Sequence, residues 1–425
     1  MLPVQDYIQH FIQIWEQSPD ALPNFPKVYI ESEQFSREKN YEHFQKKIKG
    51  LQSSKKVKKF RNDPGQSFFP MFKAFLETVF DFEKDHLTLI LSDEFKDVSK
   101  DFFYKARKFG PELKPENIYQ GMRNVWIMNG VQLMAGVPVK ITPSVFAYSM
   151  IYPYSDNFLD DPNITNEEKK KFSERFNQRL HAVDVSPGNF TEEQLFKLVE
   201  MFEQEFPRPD FPELYESLYA IQKGQTDSLK MITSTGLSDY EIQCICFEKG
   251  GASVLADGYL VAGKLTRQQE QALFGYGVYL QLLDDIQDVK EDSLAFTKTM
   301  FSCLPETDLG GFVNKTIHFG RVALEEMRCF SGAQNDDFLD LMNRSIETMI
   351  IESVGLNHTW YEKEYLNELE KHSPLHFQFV RDKRTQSKSQ RFSLFQKYFD
   401  TAGVRDSKVG VEYAGEEVGK NKVNS

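Results

Sequence analysis

Helical spacing of apolar residues dominates this chain, whereas sustained alternation of apolar and polar residues, the pattern of a half-buried strand, is rare. Proline and glycine separate the helical stretches. The clearest stretches cover 68–82, 116–130, 143–161, 191–206, 212–230, 238–262, 266–288 and 336–357. Several begin with residues that favour a helix start, namely Thr142 before a proline, Thr191 before two glutamates, and Ser238 before Asp-Tyr-Glu. The pattern predicts an all-α protein.

Charge and composition argue against several classes of protein. The formal net charge of −12 argues against general nucleic-acid binding, which needs a basic face. No run of about 18 or more apolar residues occurs, so no transmembrane span is expected. The N-terminus lacks the layout of a secretion signal and the four cysteines form no CxxC pair, which together favour a reducing, cytoplasmic location.

The stretch QLLDDIQDVKED contains four aspartates within nine residues. On a helix, its polar residues on one side fall within an arc of about 100°; they are Gln281, Asp284, Asp285, Asp288 and Asp292. One interpretation is an amphipathic helix with a solvated acidic face. However, like charges one turn apart cost about 0.2–0.5 kcal/mol per pair, so an acidic stripe without basic partners favours a bound cation.

Toward its N-terminus the same stripe continues as Gly277 and Phe274, so it is acidic at one end and apolar at the other. This profile is typical of a helix that lines a deep pocket with a metal-binding mouth. Carboxylates at this spacing suit Mg²⁺, which binds through a few carboxylates together with waters and substrate phosphates.

A second acidic stretch, YSDNFLDD, places Asp156 and Asp160 one helical turn apart. The stripe above them runs through Tyr152 to apolar residues, so acid again follows an apolar face. Pro153 is expected to kink this helix, at a cost of about 3 kcal/mol unless compensated, and Pro162 to end it. Alone, the stretch is more typical of a helix end that runs into an Asp-Pro turn than of a metal site. Two such helices in one chain favour a shared metal site.

Three motifs resemble those of the trans-prenyl diphosphate synthases. The segment 274–289 resembles their second aspartate-rich region, in which a Gly-rich helix ends in Gln-x-x-Asp-Asp-x-x-Asp. Upstream, Lys249-Gly-Gly-Ala is similar to the family's Lys-Thr-Gly/Ala signature. Further upstream, Gly224-Gln225-Thr-Asp227 is similar to the family's Gly-Gln-x-x-Asp segment, 24 residues before the lysine. The resemblance covers about residues 220–292 and weakens outside them.

This resemblance implies the class I isoprenoid synthase fold, an all-α bundle of helices around a central apolar pocket that holds a prenyl diphosphate and three Mg²⁺ ions. The acids that would bind the metal ions are Asp156 and Asp160 in a first cluster and Asp284, Asp285 and Asp288 in a second. Together with Lys249, which would grip the diphosphate, these acids would be the catalytic residues. The other residues that would bind substrate are Gln225, Gln281, Arg123, Tyr152 and Phe274.

The sequence departs from that family in its first motif and its basic residues. Asn157 stands where a carboxylate is expected, and no arginine pair follows it. The N-terminal Gly-Lys-Arg-x-Arg-Pro signature is missing; Arg123 lies in its nearest remnant, and Arg175 and Arg179 are distant candidates. In chain-elongating members those basic groups bind isopentenyl diphosphate. Their absence therefore favours an enzyme that uses one allylic diphosphate.

Three functions remain open. The first is a Mg²⁺-dependent class I terpene synthase, which ionises an allylic prenyl diphosphate to give a cyclic or linear terpenoid plus diphosphate. The alternative is a polyprenyl diphosphate synthase, a prenyltransferase that joins isopentenyl diphosphate to an allylic diphosphate, and the matching second half of the chain favours it. The third is a non-catalytic relative that acts as a binding subunit, which Asn157 makes conceivable.

We expect the chain to divide into an N-terminal helical segment (1–115) that packs on the core, a catalytic core (116–402) and a disordered polar tail (403–425). The expected partner is the prenyl diphosphate substrate. Members of the family are often homodimers, and no pattern in this sequence marks an interface.

Overall fold

The structure, a computed structural model, describes residues 2–53, 64–161, 163–233, 236–304 and 309–383. Across these ranges it contains α-helices and short 3-10 helices without a strand, which confirms the predicted all-α class. The α-helices are α1 (Val4–Gln17), α2 (Glu31–Ser53), α3 (Pro64–Phe80), α4 (Lys84–Ile90), α5 (Asp93–Phe109), α6 (Pro115–Met134), α7 (Pro143–Asp160), α8 (Asn166–Leu180), α9 (Phe190–Glu205), α10 (Pro212–Ser228), α11 (Lys230–Thr233), α12 (Asp239–Ala262), α13 (Arg267–Gln287), α14 (Val289–Leu294), α15 (Leu309–Glu326), α16 (Asn335–Leu356) and α17 (Lys363–Glu370).

Two further expectations concern the C-terminal tail and a membrane-spanning helix. The tail expected at 403–425 lies outside the described residues. Within the described ranges, none of the helices combines the length and the apolar character that a membrane span requires, in agreement with the sequence.

Side-chain caps explain where several helices begin. Ser238 accepts a hydrogen bond from the backbone N–H of Glu241 at the start of α12, and the Glu241 carboxylate accepts one from the Ser238 N–H in return. Thr142 caps α7, as predicted. The predicted cap Thr191 is wrong, because Asn189 accepts the capping bond from the backbone three residues further on, at 2.9 Å, so that α9 begins earlier.

The helices α12 and α13 pack against each other with their backbones in close approach. A Cβ atom added to Gly277 would lie 2.9 Å from the carbonyl carbon of Gly250 and 3.0 Å from the Cα of Gly251. A Cβ atom added to Gly250 would lie 2.6 Å from the carbonyl oxygen of Gly277. The three glycines therefore let the two main chains touch, which brings the side chains that flank them within reach of each other.

The N-terminal helix α1 packs on this central pair although it is distant in sequence. Phe11 stacks on Phe274 of α13 with ring centroids 6.2 Å apart, and Trp15 meets Phe247 of α12 edge-on at 6.4 Å. All four rings are buried in the main hydrophobic core. Burial of such aromatic side chains contributes about 1.5–3 kcal/mol each, so α1 is part of the core rather than an appendage to it.

The helix α7 continues through Pro153, which lacks the N–H that would otherwise bond the carbonyl oxygen of Ser149. That carbonyl faces α6, where a Cβ atom added to Gly121 would lie 2.8 Å from it. The glycine lets α6 approach α7 closely at this point. The helix ends at Asp160, and Pro162, which was expected to end it, lies outside the described residues.

Candidate active site

A side-chain contact joins the two helices that carry the first acidic motif and the lysine. The hydroxyl groups of Tyr152 on α7 and Ser253 on α12 are hydrogen-bonded at 2.9 Å. One turn further along α7 lies Asp156, and one turn back along α12 lies Lys249. These two residues meet at one end of the bundle if the two helices run in opposite directions.

A second contact shows that α7 and α12 are antiparallel. Asn124 of α6 donates hydrogen bonds to Ser149, at 3.2 Å, and to Asp257, at 3.3 Å. Ser149 precedes the Tyr152–Ser253 contact on α7, whereas Asp257 follows it on α12. The chains therefore run in opposite directions, and the first acidic motif and the lysine lie together on the other side of that contact.

The second aspartate stretch reaches the same end of the bundle. The charge of Lys249 acts on both Asp285 and Asp292 and lowers their pKa values, but burial outweighs it. Burial, followed by the nearby charge of Asp284, raises the pKa of Asp285 to about 7. Burial, followed by the nearby charge of Asp288, raises the pKa of Asp292 to about 6. We call this end, defined by Asp156, Lys249, Asp284 and Asp288, the mouth.

The aspartates of α13 do not all face the same way. The side chains of Asp284 and Asp288 are exposed, whereas Asp285 is only 3% exposed. Asp285 accepts a hydrogen bond from Nε2 of Gln281 at 2.8 Å and lies 3.6 Å from the thiol of Cys246 on α12. The single acidic face that the sequence predicts is therefore divided into two open carboxylates and a third that turns toward α12.

The donor atoms at the mouth fit Mg²⁺. This ion prefers oxygen ligands, keeps several waters and needs only a few carboxylates. The negative charges of Asp284 and Asp288 both act on Asp292, and a bound cation would relieve that repulsion. Within the part of the chain that the structure describes, no three His, Cys, Asp or Glu side chains form a metal-binding group, so an ion held here would need further oxygen atoms from water or from a ligand. The side chain of Asp160 lies outside the described residues.

The first acidic motif is supported by the neighbouring helix α6. Gln120 donates a hydrogen bond to the carboxylate of Asp156 at 2.7 Å. Asn157, at the position where the family has an acid, donates its amide to the carbonyl oxygen of Pro153 and accepts a bond from Asn117 at 3.1 Å. Asn157 therefore has a structural role in α7. Of the two aspartates predicted to bind metal in this motif, Asp156 is the one whose side chain the structure describes.

Lys249 is a basic group available at the mouth. Its side chain is half-buried and has no hydrogen-bond or ion-pair partner in the described part of the chain. Gly224 of α10 packs on its backbone, because an added Cβ atom would lie 3.1 Å from the Lys249 Cα; Gln225 follows this glycine in the chain, and no contact between its side chain and the lysine is described. Lys223, by contrast, is bound to Glu248 at 2.7 Å.

The remaining basic candidates do not join the mouth. Arg175 forms a bidentate ion pair with Glu192, with both N–O distances at 2.6 Å, and Arg179 forms one with Glu203 at 2.6 and 2.8 Å. These pairs tie α8 to α9, so neither arginine is free to bind a second diphosphate. Arg123 is exposed on α6, and among the described residues no hydrogen bond or ion pair connects it to the mouth.

The apolar end of the α13 stripe packs against α12 and α1, whereas Phe274 was predicted to bind substrate. Gly277 packs on α12, and Phe274 is fully buried against Phe11 of α1. Tyr276 is the residue of this region that lies near Asp257 of α12. Its pKa is raised by burial and by the nearby charge of Asp257.

An inner layer of polar residues was missed from the sequence. Asn124, Ser149 and Asp257 are 7%, 0% and 0% exposed, and they are hydrogen-bonded to one another through Asn124. A signal was present, because Gln120 and Asn124 on α6 are one turn apart, as are Lys249, Ser253 and Asp257 on α12. Polar residues repeated at this spacing along a largely buried helix indicate a shared polar surface.

No protein-family model matches the sequence, and no curated protein matches it. The solved structures that are similar include the following three. A geranyltransferase from Legionella pneumophila has 12% identity and a TM-score of 0.40, covering 64% of this chain and 99% of its own. A geranylgeranyl pyrophosphate synthetase from Pyrococcus horikoshii has 14% identity and a TM-score of 0.32, covering 71% and 99%. A geranylgeranyl pyrophosphate synthase has 13% identity and a TM-score of 0.28, covering 70% and 97%.

Proposed function

We propose that this protein is a class I isoprenoid synthase, an enzyme that ionises an allylic prenyl diphosphate with the help of Mg²⁺. One observation carries the proposal: a lysine without a described partner, Lys249, lies at the same end of an all-α bundle as the carboxylates of two separate acidic motifs. A basic group beside carboxylates at an open end fits a ligand that is a diphosphate bound through metal ions.

The residues of the mouth would divide the work of ionisation. Bound Mg²⁺ would supply positive charge to the leaving diphosphate. Asp156, held by Gln120, and the exposed pair Asp284 and Asp288 would hold the metal ions from opposite helices. Lys249 would donate hydrogen bonds to the diphosphate oxygens, and the buried Asp285, fixed by Gln281, would keep the end of α13 against α12.

The fate of the allylic cation separates two candidates. Prenyl transfer to isopentenyl diphosphate is supported by the three motifs on α10, α12 and α13, which come together around Lys249 through Gly224 and Gly250. It is also the kind of activity for which the three similar structures are named, although that likeness is too slight to decide. A terpene synthase is the second candidate, and one observation favours it: Arg175 and Arg179 are engaged in ion pairs, so neither is available to a second diphosphate.

The test is diphosphate release by the purified full chain in the presence of Mg²⁺. Geranyl, farnesyl, geranylgeranyl and geranylfarnesyl diphosphate are supplied singly, then together with isopentenyl diphosphate, and organic extracts are identified by mass spectrometry. Release only with isopentenyl diphosphate, giving a longer diphosphate, identifies a prenyltransferase. Release from one allylic substrate, giving a hydrocarbon or alcohol, identifies a terpene synthase. The proposal is rejected if no prenyl diphosphate is turned over or bound.

A further inference from the structure

A second set of polar side chains lies inside the mouth on the same helices. On α12, Asp257 follows Lys249 by eight residues, about 12 Å along the helix axis. On α6, Asn124 follows Gln120 by one turn and bonds both Asp257 and Ser149 of α7. We call Asn124, Ser149 and Asp257 the inner cluster. It continues the helix faces of the mouth toward the interior of the bundle.

The carboxyl group of Asp257 lacks a hydrogen bond that it needs. The residue is 0% exposed, and its Oδ1 atom accepts one bond, from Asn124 at 3.3 Å. Its Oδ2 atom is buried and has no partner among the described residues. Buried polar atoms are almost always hydrogen-bonded to protein or ordered water, so this atom indicates a place for a ligand atom or a water.

The surroundings of Asp257 indicate that this ligand group is uncharged. The titratable groups near it are the hydroxyls of Tyr148, Tyr152 and Tyr276, and no lysine or arginine of the described residues is bonded to it. Burial raises the pKa of Asp257 well above its usual value, which keeps the carboxyl neutral. A neutral carboxyl both donates and accepts hydrogen bonds, as a hydroxyl or water partner requires.

We propose that the inner cluster is a binding subsite for an uncharged, hydroxyl-sized hydrogen-bonding group beside the prenyl chain. The inference rests on the proposed function, which places the diphosphate at the mouth and the chain below it. The occupant is either an ordered water or a hydroxyl group carried by the chain itself. An apolar chain long enough to reach Asp257 displaces this occupant without replacing its hydrogen bonds, so the subsite selects against long apolar chains.

The test compares the unsubstituted protein with Asp257→Leu, Asp257→Ala and Asp257→Asn. Affinity is measured from the rise in melting temperature with geranyl, farnesyl and geranylgeranyl diphosphate, and diphosphate release is measured in parallel. Leucine and alanine remove the carboxyl, so each should tighten geranylgeranyl relative to geranyl diphosphate by about tenfold to a hundredfold. Asparagine keeps hydrogen-bonding atoms and should leave that ratio near its original value. Glu270→Gln, which changes a buried carboxyl bonded by Tyr259 at 2.7 Å, is the matched control and should leave the ratio unchanged.

A further probe, farnesyl diphosphate with a hydroxyl group at its far end, separates the two sources of the occupant. If the subsite holds a chain hydroxyl, this probe binds the unsubstituted protein more tightly than farnesyl diphosphate, and Asp257→Leu removes the difference. If it holds water, the two ligands bind alike while the chain-length effect remains. An unchanged chain-length ratio in both Asp257→Leu and Asp257→Ala overturns the subsite alone. Failure of every prenyl diphosphate to bind the unsubstituted protein overturns the proposed function, and the subsite with it.

Discussion

The substitution Gly277→Ala tests whether the close contact of α12 and α13 sets both stability and the geometry of the mouth. The added Cβ atom would overlap the carbonyl oxygen of Gly250 and lie 2.9 Å from its carbonyl carbon, whereas ordinary van der Waals contact begins at 3.4 Å, so the helices must separate by about 1 Å. The atoms in the way belong to the main chain, which cannot rotate aside. Relief by a rotamer change is therefore excluded.

The expected magnitude is the difference between two opposing effects. Alanine is preferred to glycine inside a helix by about 1 kcal/mol. Overpacking of a close contact costs about 1–3 kcal/mol, and more where backbone atoms must move. Because the atoms in the way are backbone atoms, the cost lies at the upper end, and we expect Gly277→Ala to lower the free energy of unfolding by about 2 kcal/mol or more. It should also lower the rate of diphosphate release, because Lys249 on α12 and Asp284 on α13 move apart.

The assay is equilibrium unfolding in urea, with diphosphate release measured on the same samples. The matched control is Gly50→Ala in α2, where no atom lies within 4 Å of the added Cβ, so this variant should be slightly more stable than the unsubstituted protein. The reasoning is refuted if Gly277→Ala is as stable as Gly50→Ala, since the helix preference would then act unopposed at both sites.

Three further substitutions test the site and its supports. Replacing Asp284 and Asp288 together by alanine should reduce diphosphate release at least about a hundredfold without loss of stability, because both side chains are exposed. Retained turnover would show that these two residues do not hold the metal ions. If the unsubstituted protein binds a partner but turns over no substrate, the non-catalytic relative is favoured instead. Arg175→Ala should lower the free energy of unfolding in urea by about 3–5 kcal/mol, because it leaves the fully buried carboxylate of Glu192 without its cation. A variant of full stability that only binds substrate more weakly would contradict this structural role of Arg175. Asp257→Asn should stabilise the protein more at pH 8 than at pH 5. Burial raises the pKa of Asp257 in the folded state, so the stability that its carboxyl contributes falls as the pH rises above 3.8, the pKa of the carboxyl in the unfolded chain. A difference in melting temperature that does not change with pH would contradict burial of a neutral carboxyl.

The sequence by itself determined the class of fold and the helical spacing of the two acidic stretches. Helical periodicity and caps such as Ser238 are local properties, so α12 and α13 are predicted close to their observed bounds. Where a cap was wrong, at Thr191, the difference is two residues and reflects the competition of Asn189 for the same role. The spacing of Asp284 and Asp288 likewise follows from one helix.

Only the tertiary structure decided which side chains face one another. The stripe from Asp285 to Phe274 is predicted to line a pocket, yet it lies against α12 and α1, because glycines at 250 and 277 let the helix backbones approach there. In the sequence Arg175 is a candidate to bind a diphosphate, whereas in the structure it is paired with Glu192 of another helix. The inner cluster around Asp257 comes from three separate helices. Such contacts depend on packing between distant segments, and periodicity within one helix contains no information about the neighbour it will meet.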